Sequence, residues 1–276
     1  MSGRDWRPRY VQVAEDLRER IASGELASGS VLPGELELAE RYHLSRTSVR
    51  NAIRQLREWG LVRVERGRGT YVRAPRERVT RYNAERYQWE KDRVRKSEEE
   101  RRSTGGVEFD TGLTVADLTF HAEYGELRAD EDLAGAFGAP VGTRLLRRVY
   151  WTRPGTDTAP LSLARSYLPY DLAARNPELL DAGNEPWPGG TQHQLATVGV
   201  EVDRIEERVT ARPPLPDEAD RLDVEPGVSV LAVRRVSLDV EGRVVEVVDA
   251  VYPGDRIELV YPIQLRRWNG AGERWS

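Results

Sequence analysis

The chain has 276 residues, with 42 Lys or Arg against 46 Asp or Glu, so its formal net charge at pH 7 is −4. This length allows two domains, and the lack of cysteine excludes disulfides and thiol chemistry. No apolar run approaches the roughly 20 residues that span a bilayer, and residues 1–10 are rich in arginine without an apolar stretch for export, so we expect a cytoplasmic protein without membrane contact.

Charge is distributed unevenly along the chain. Residues 1–75 carry 14 basic and 10 acidic side chains, whereas the remaining residues carry 28 basic and 36 acidic ones. Local potential, and not whole-chain charge, attracts DNA. A basic first region followed by an acidic one therefore indicates nucleic-acid binding by the first region.

Two helices are predicted before residue 45. The segment Tyr10 to Ser23 places apolar residues at helical spacing, and Gly24 can supply the left-handed residue that ends a helix. A shorter helix is predicted within residues 32–42, and His43 with Leu44 forms a tight turn.

The next segment, residues 45–57, separates its side chains onto two faces when coiled as a helix. At about 100° per residue the arginines fall within a sector of roughly 80°, and the apolar residues fall within a separate sector of roughly 100°. Ser45 is a suitable N-cap. Guanidinium groups suit phosphate oxygens and the guanine edge, so we predict a DNA recognition helix, with a solvated amphipathic helix as the alternative. The arginine face comprises Arg46, Arg50, Arg54 and Arg57, and the apolar face comprises Val49, Ala52, Ile53 and Leu56.

A hairpin is predicted after this helix. Residues 61–65 and 70–73 are short β-prone runs, and Arg66-Gly67-Arg68-Gly69 lies between them as a turn. Such a tip can approach a narrow groove or grip phosphate, although an ordinary exposed loop is the alternative.

From about Tyr10 to Val72 the chain resembles the GntR family of bacterial winged-helix transcription regulators. The matching strings are L-P-x-E-x-E-L-A-E-R-Y from Leu32, S-R-T-S-V-R from Ser45 and L-x-x-x-G-L-V-x-x-x-x-G-R-G-T-Y-V from Leu56. One departure is Leu36, where many relatives carry a polar residue, so the preferred operator is expected to differ. From the resemblance and the arginine face, the predicted DNA-binding residues are Arg46, Thr47, Ser48, Arg50, Arg54, Arg66, Gly67 and Arg68.

We assign residues 1–75 to the winged helix-turn-helix domain, 76–106 to a charged linker and 107–276 to a second domain. Residues 83–102 are dense in Glu, Arg and Lys, which predicts a solvated linker helix or a partly disordered arm. Contact of its arginines with DNA is the less favoured alternative.

Beyond residue 107 the pattern changes to strands broken by short helices, which predicts an α+β class with an antiparallel sheet. Asp239 to Arg243 is predicted to turn a hairpin between two long strands. Arg147-Arg148-Val149 is echoed by Arg234-Arg235-Val236, which indicates two similar halves around one sheet with a cleft between them. The predicted strands are Thr143 to Thr152, Leu161 to Leu168, Val200 to Arg212, Val228 to Val240, Arg243 to Tyr252 and Ile257 to Gln264, and the predicted helices are Asp130 to Phe137 and Asp217 to Leu222.

This region resembles the UTRA effector domain of the HutC branch of the family, whose fold is similar to that of chorismate lyase. The matching pieces are residues 140–143, 160–169 and 244–256. In relatives the pocket binds small, often anionic, metabolites such as phosphosugars. The resemblance implies that residues 107–276 form an effector-binding and dimerisation domain. It also implies effector-binding roles for Arg147, Ser166, Tyr167, Glu246 and Tyr252.

Two departures from the relatives affect the expected ligand. Their second pocket arginine aligns with Leu145 or Val149, and their usual glutamate is Ala164. One guanidinium fewer favours a less charged or larger ligand over a phosphorylated sugar. For Tyr167 and Tyr252, plain core packing is an equal alternative.

The sequence does not favour an enzyme. Its three histidines lie far apart, and it contains no G-x-S-x-G string or Gly-rich nucleotide loop, so we expect no catalytic residues, no metal site and no cofactor. The leading hypothesis is a homodimeric repressor that reads an inverted-repeat operator in double-stranded DNA and is released by a small-molecule effector. The alternatives are a ligand-independent repressor and a lyase-like enzyme.

Overall fold

The structure is a computed structural model, and it describes residues 6–65, 67–74, 78–155 and 159–265. Its N-terminal domain contains three helices followed by an antiparallel hairpin, in the predicted order. The elements are α1 (Arg9–Ala22), α2 (Glu35–Tyr42), α3 (Arg46–Glu58), β1 (Val62–Glu65) and β2 (Gly69–Val72).

One apolar core holds the three helices and the hairpin together. The apolar face predicted for α3 is the face that packs, because Val49, Ala52 and Leu56 are fully buried against α1 and α2. Burial of a leucine side chain contributes about 1.5–3 kcal/mol. The orientation of this face directs the arginine face of α3 away from the core.

The segment between the domains is helical over much of its length, but part of it is buried, contrary to the expectation of a fully solvated helix. It consists of β3 (Val79–Tyr82), α4 (Asn83–Arg93), α5 (Glu98–Ser103) and α6 (Gly106–Thr111). Arg81 and Arg93 in it are buried, because they find partners on the C-terminal domain or within the segment itself. Charge density along the chain could not reveal a partner as distant as Tyr252, which Arg81 contacts.

The C-terminal domain is built on a six-stranded sheet whose neighbouring strands are all antiparallel, in the order β4-β5-β6-β9-β8-β7. This confirms the α+β class. The strands are β4 (Leu118–Arg128), β5 (Arg144–Pro154), β6 (Leu163–Pro169), β7 (Val202–Arg212), β8 (Val230–Asp239) and β9 (Val244–Pro253). The final strand, β10 (Ile257–Val260), pairs in parallel with β3 outside this sheet.

Two β-α-β-β units form the sheet and meet at the β6–β9 pair. The first contains α7 (Glu131–Phe137) between β4 and β5, and the second contains α10 (Pro216–Leu222) between β7 and β8. The internal echo of the sequence therefore corresponds to a structural repeat. The hairpin at residues 239–243 is also present, since the Asp239 backbone N–H donates to the Arg243 carbonyl at 3.0 Å.

Several described elements of the C-terminal domain were not predicted from the sequence, and three of them bear on the sheet and the cavity. They are β4, which contains Gly125 and several charged residues, α8 (Tyr170–Ala173) and α9 (Gly190–Thr197), which is rich in polar residues. Each has a weak local pattern, so its conformation depends on packing against the sheet or the connecting segment. Across the described residues no helix combines the length and hydropathy needed to cross a membrane.

The N-terminal domain docks against the loop between α10 and β8 and the turn after β9. Arg73, just after β2, places Nη2 at 2.6 Å from Asp255 Oδ2 and Nε at 3.5 Å from Glu225 Oε2. At Gly227 a Cβ would lie only 2.5 Å from the backbone nitrogen of Gly60, so the two backbones touch. An ion-pair cluster and a glycine contact therefore join the end of α3 to the C-terminal domain.

Candidate DNA interface and effector cavity

The recognition helix begins with a side-chain cap. The backbone N–H of Ser48 donates to Ser45 Oγ at 3.2 Å, and the two hydroxyl groups lie 3.0 Å apart. Before it, His43 has a φ of +51°, which ends α2 and turns the chain into α3. Residues 46–48 thus form the exposed first turn of α3, where helix-turn-helix proteins contact base edges.

The arginine face of α3 is open to solvent. The side chains of Arg46 and Arg50 are both 58% exposed, and Arg54 and Thr47 are also exposed. Arg50 Nε donates to both carboxylate oxygens of Glu35, at 3.0 and 2.8 Å. The helix therefore presents a positively charged face that one carboxylate of α2 contacts.

The tip of the hairpin is also exposed. Gly67 has a φ of +78°, a Cβ added to it would meet no atom within 4 Å, and the Arg68 side chain is 79% exposed. Arg68 Nη1 lies 3.9 Å from Glu65 Oε2, so its guanidinium is held loosely. The predicted contact of Arg66 lies outside the described residues.

A cavity of about 450 Å³ lies between one face of the six-stranded sheet and the helices α4, α5, α6 and α9. Alternate residues of β6 and β9 form its floor, as the two-residue period of a strand requires. The floor residues are Ala164, Ser166, Glu246, Val248, Ala250 and Tyr252.

Glu246 is the central charged group of this floor. Its Oε1 accepts from Arg148 Nη2 at 2.8 Å and from Ser166 Oγ at 2.7 Å, and its Oε2 accepts from Arg235 Nη2 at 2.9 Å. Burial by itself raises the pKa of Glu246, but Arg235 and Arg148 together hold it below its ordinary value. The two arginines come from equivalent positions of the two halves.

A second carboxylate, Glu185, accepts from neutral donors. Its Oε1 accepts from Tyr150 Oη at 2.9 Å, from Gln194 Nε2 at 2.9 Å and from Tyr124 Oη. Burial first, and then the neighbouring charge of Glu185, raises the pKa of Tyr124 to about 12. Gln194 also accepts from Arg148 Nη1 at 2.5 Å, so the two carboxylates belong to one network.

The connecting segment supplies the opposite wall. Arg81 Nη1 donates to Tyr252 Oη at 2.5 Å, and Arg81 Nε lies 3.2 Å from Asp110 Oδ2. Arg86 Nη1 lies 2.9 Å from the same Asp110 oxygen. Burial raises the pKa of Asp110, while Arg86 and Arg81 oppose that shift. Within the described ranges no cluster of His, Cys, Asp and Glu is arranged to hold a metal ion.

Family models match both domains. The model described as bacterial regulatory proteins of the gntR family matches residues 9–72, and the UTRA domain model matches residues 121–258, half of the chain. The chain belongs to the GntR family. GntR regulators bind DNA operators and UTRA domains bind small-molecule effectors, so this chain is a DNA-binding transcription regulator.

Full-length relatives agree with this assignment. An uncharacterized HTH-type transcriptional regulator of Rhizobium meliloti is 29% identical over 252 residues, which cover 91% of this chain and 93% of that protein. The HTH-type transcriptional repressor NagR of Bacillus subtilis is 27% identical and covers 92% of this chain and 94% of its own length. A crystal structure of a GntR-family transcriptional regulator superposes with a TM-score of 0.64 at 29% identity, over 94% of this chain and 99% of that one.

Three of the predicted effector residues of this GntR-family chain line the cavity, namely Ser166, Glu246 and Tyr252. Arg147 and Tyr167 do not. They pair with each other across β5 and β6 on the opposite face of the sheet, where Arg147 is exposed and Tyr167 packs in an apolar cluster with Leu145. Neighbouring residues of a strand face opposite sides of the sheet, so Arg148, one position after Arg147, is the β5 arginine that reaches Glu246 on the cavity side.

Sequence reasoning missed several residues around the cavity. Arg148 lies beside the floor residue Ser166 on the same face of the sheet and is 1% exposed, and Arg235 lines the cavity from β8. The echo between residues 147–149 and 234–236 was the signal that could have paired these two arginines. Nothing local indicated Glu185 or Arg81, since the two tyrosines that donate to Glu185 and the tyrosine that contacts Arg81 are all 35 or more positions away.

Proposed function

We propose that this GntR-family regulator is a homodimeric repressor that binds an inverted-repeat operator and is released when a small-molecule effector occupies the UTRA cavity. The exposed arginine face on the capped helix α3 is the observation that carries the DNA-binding role. Dimerisation suits an inverted repeat because protein and operator then share a two-fold axis. No catalytic role is assigned to the UTRA domain, since fold similarity alone does not carry activity.

A short link between the cavity floor and the N-terminal domain supports coupling between effector and operator. Tyr252 lies on the cavity floor, and Asp255, three residues later, pairs with Arg73 of the N-terminal domain. A ligand that moves the turn after β9 would therefore act on the docking of the DNA-binding domain. By linkage, the ligand and the operator must weaken each other's binding by the same factor.

The recognition helix is tested by alanine substitution. Arg46→Ala and Arg50→Ala are each expected to cost roughly 1–3 kcal/mol of discrimination between the operator and unrelated duplexes. The control Arg208→Ala removes the same charge from an exposed position on β7. Unchanged operator binding by both α3 variants would refute the assignment of the recognition helix.

The effector role is tested by thermal shift against a panel of metabolites. A ligand that binds the folded state raises the Tm by mass action, and under this proposal it also releases operator DNA. A ligand that stabilises the protein without changing DNA affinity would contradict the coupling.

A ligand-independent repressor is the second candidate. The observation that favours it is that Glu246, the central charged group of the cavity floor, is already satisfied by Arg148, Arg235 and Ser166. Operator release by any cavity-binding metabolite rejects this candidate. A lyase-like enzyme is the third candidate, and it would require turnover of chorismate-like compounds.

A further inference from the structure

Glu35 contacts both arginines at the start of the recognition helix. It is the first residue of α2, and its side chain is 33% exposed. Its carboxylate receives the Nε–H of Arg50 at 2.8 and 3.0 Å and lies 3.7 Å from Arg46 Nη2. Glu35 is thus an acidic residue placed inside a surface that must meet DNA phosphates.

The geometry of this contact determines which edge of Arg50 stays available. A guanidinium offers two edges for paired hydrogen bonds, one formed by Nε with an Nη and the other by the two Nη atoms. Glu35 occupies Nε, which leaves the Nη1–Nη2 edge of the 58%-exposed side chain. That edge matches O6 and N7 of guanine in the major groove.

The contact with Glu35 also restricts the rotamers of the Arg50 side chain. A free arginine loses up to about 2 kcal/mol of rotamer entropy when it is fixed, and a side chain already held by a carboxylate loses less on binding. The same carboxylate repels nearby phosphates. A residue in this place should therefore improve base discrimination and weaken general affinity for DNA.

We propose that Glu35 is a positioning residue for base readout, which directs the Nη1–Nη2 edge of Arg50 to a guanine of the operator. The inference rests on the proposed operator contact of Arg50. What is new is the role of Glu35, a residue of α2 that sets base specificity through Arg50 and does not need to touch the DNA.

The test begins with an operator selected by the full-length protein from random duplexes. Dissociation constants are then measured for this operator, for duplexes with each G·C pair replaced in turn, and for unrelated DNA. Glu35→Gln is expected to lower discrimination at one G·C pair by about 5-fold or more. Its affinity for unrelated DNA is expected to be equal or higher, because a negative charge has been removed.

The matched control is Glu37→Gln, which makes the same chemical change in the same first turn of α2 at an exposed position. It should preserve discrimination at every pair within twofold. Glu35→Asp keeps the charge but withdraws it from Arg50, so it should lose discrimination without gaining affinity for unrelated DNA. Equal Tm values among the variants exclude misfolding as the cause.

Arg50→Ala separates failure of this inference from failure of the proposed function. If Arg50→Ala loses discrimination at the same pair and Glu35→Gln adds no further loss in that background, Glu35 acts through Arg50. If Arg50→Ala loses discrimination but Glu35→Gln and Glu35→Asp retain it, the positioning role is overturned. If Arg50→Ala itself binds and discriminates like the wild type, the recognition contact proposed for Arg50 fails and the role of Glu35 fails with it.

Discussion

Replacing Glu246 by glutamine removes the negative charge that lies between Arg148 and Arg235 on the cavity floor. The side chains of Glu246 and Arg148 are only 3% and 1% exposed, so solvent cannot compensate for the lost partner. Removing one partner of a buried ion pair typically costs about 3–5 kcal/mol, because the other charge stays buried. Here two guanidinium groups lose their common partner, so the C-terminal domain should be destabilised by at least about 3 kcal/mol.

The assay is thermal unfolding of the full chain at pH 7, followed by calorimetry and tryptophan fluorescence. For a domain of this size 1 kcal/mol corresponds to about 2–4 °C, so the transition of the C-terminal domain should fall by roughly 6–20 °C. The control Glu206→Gln breaks an exposed pair with Arg204 on β7 and should cost roughly 0–1 kcal/mol. A fall of less than about 2 °C in the Glu246→Gln variant would refute the reasoning.

The stability contributed by Glu246 should also depend on pH. Because its folded-state pKa lies below the ordinary value of 4.5, the contribution is complete above about pH 4.5 and is lost as pH falls through the folded-state pKa. The difference in stability between wild type and Glu246→Gln should therefore narrow in acid. A difference that stays constant from pH 7 into the acid range would contradict the assigned ion pairs.

Three further predictions concern the domain contact and the operator. Gly227→Ala should broaden the distribution of distances between the two domains, because its Cβ would clash with the backbone of Gly60. The distances are measured between labels on one cysteine introduced into each domain of this cysteine-free chain. Gly242→Ala, at a similar φ of +77° with no atom within 4 Å, should leave the distribution unchanged. A double-mutant cycle of Arg73→Ala and Asp255→Ala should give a coupling of about 0.5–3 kcal/mol in unfolding free energy, and zero coupling would contradict their ion pair. Leu36 is exposed on α2, and Leu36→Arg should add one phosphate contact. The slope of log K for DNA binding against log salt concentration should then become steeper by about 0.9. An unchanged slope would place this position away from the DNA backbone.

Local patterns in the sequence accounted for the DNA-binding domain. The helical spacing of the apolar residues, the Ser45 cap and the glycine turn of the hairpin all depend on residues close together in the chain, and the structure has each of them. The repeated strands and the residue 239–243 hairpin were predictable for the same reason. In each case a short segment carries its own conformational preference.

The cavity and its electrostatics were decided by the tertiary structure. Whether Arg147 or Arg148 faces inward depends on strand register, and a one-residue shift reverses the face. Glu246 is 98 positions away from Arg148, and Arg81 is 171 positions away from Tyr252. The sequence by itself determined the recognition helix, the hairpin and most strands of the sheet, because neighbouring residues encode them. The partners of the buried charges are set only by the tertiary structure, since the identity of a charged residue does not specify which distant group will pack beside it.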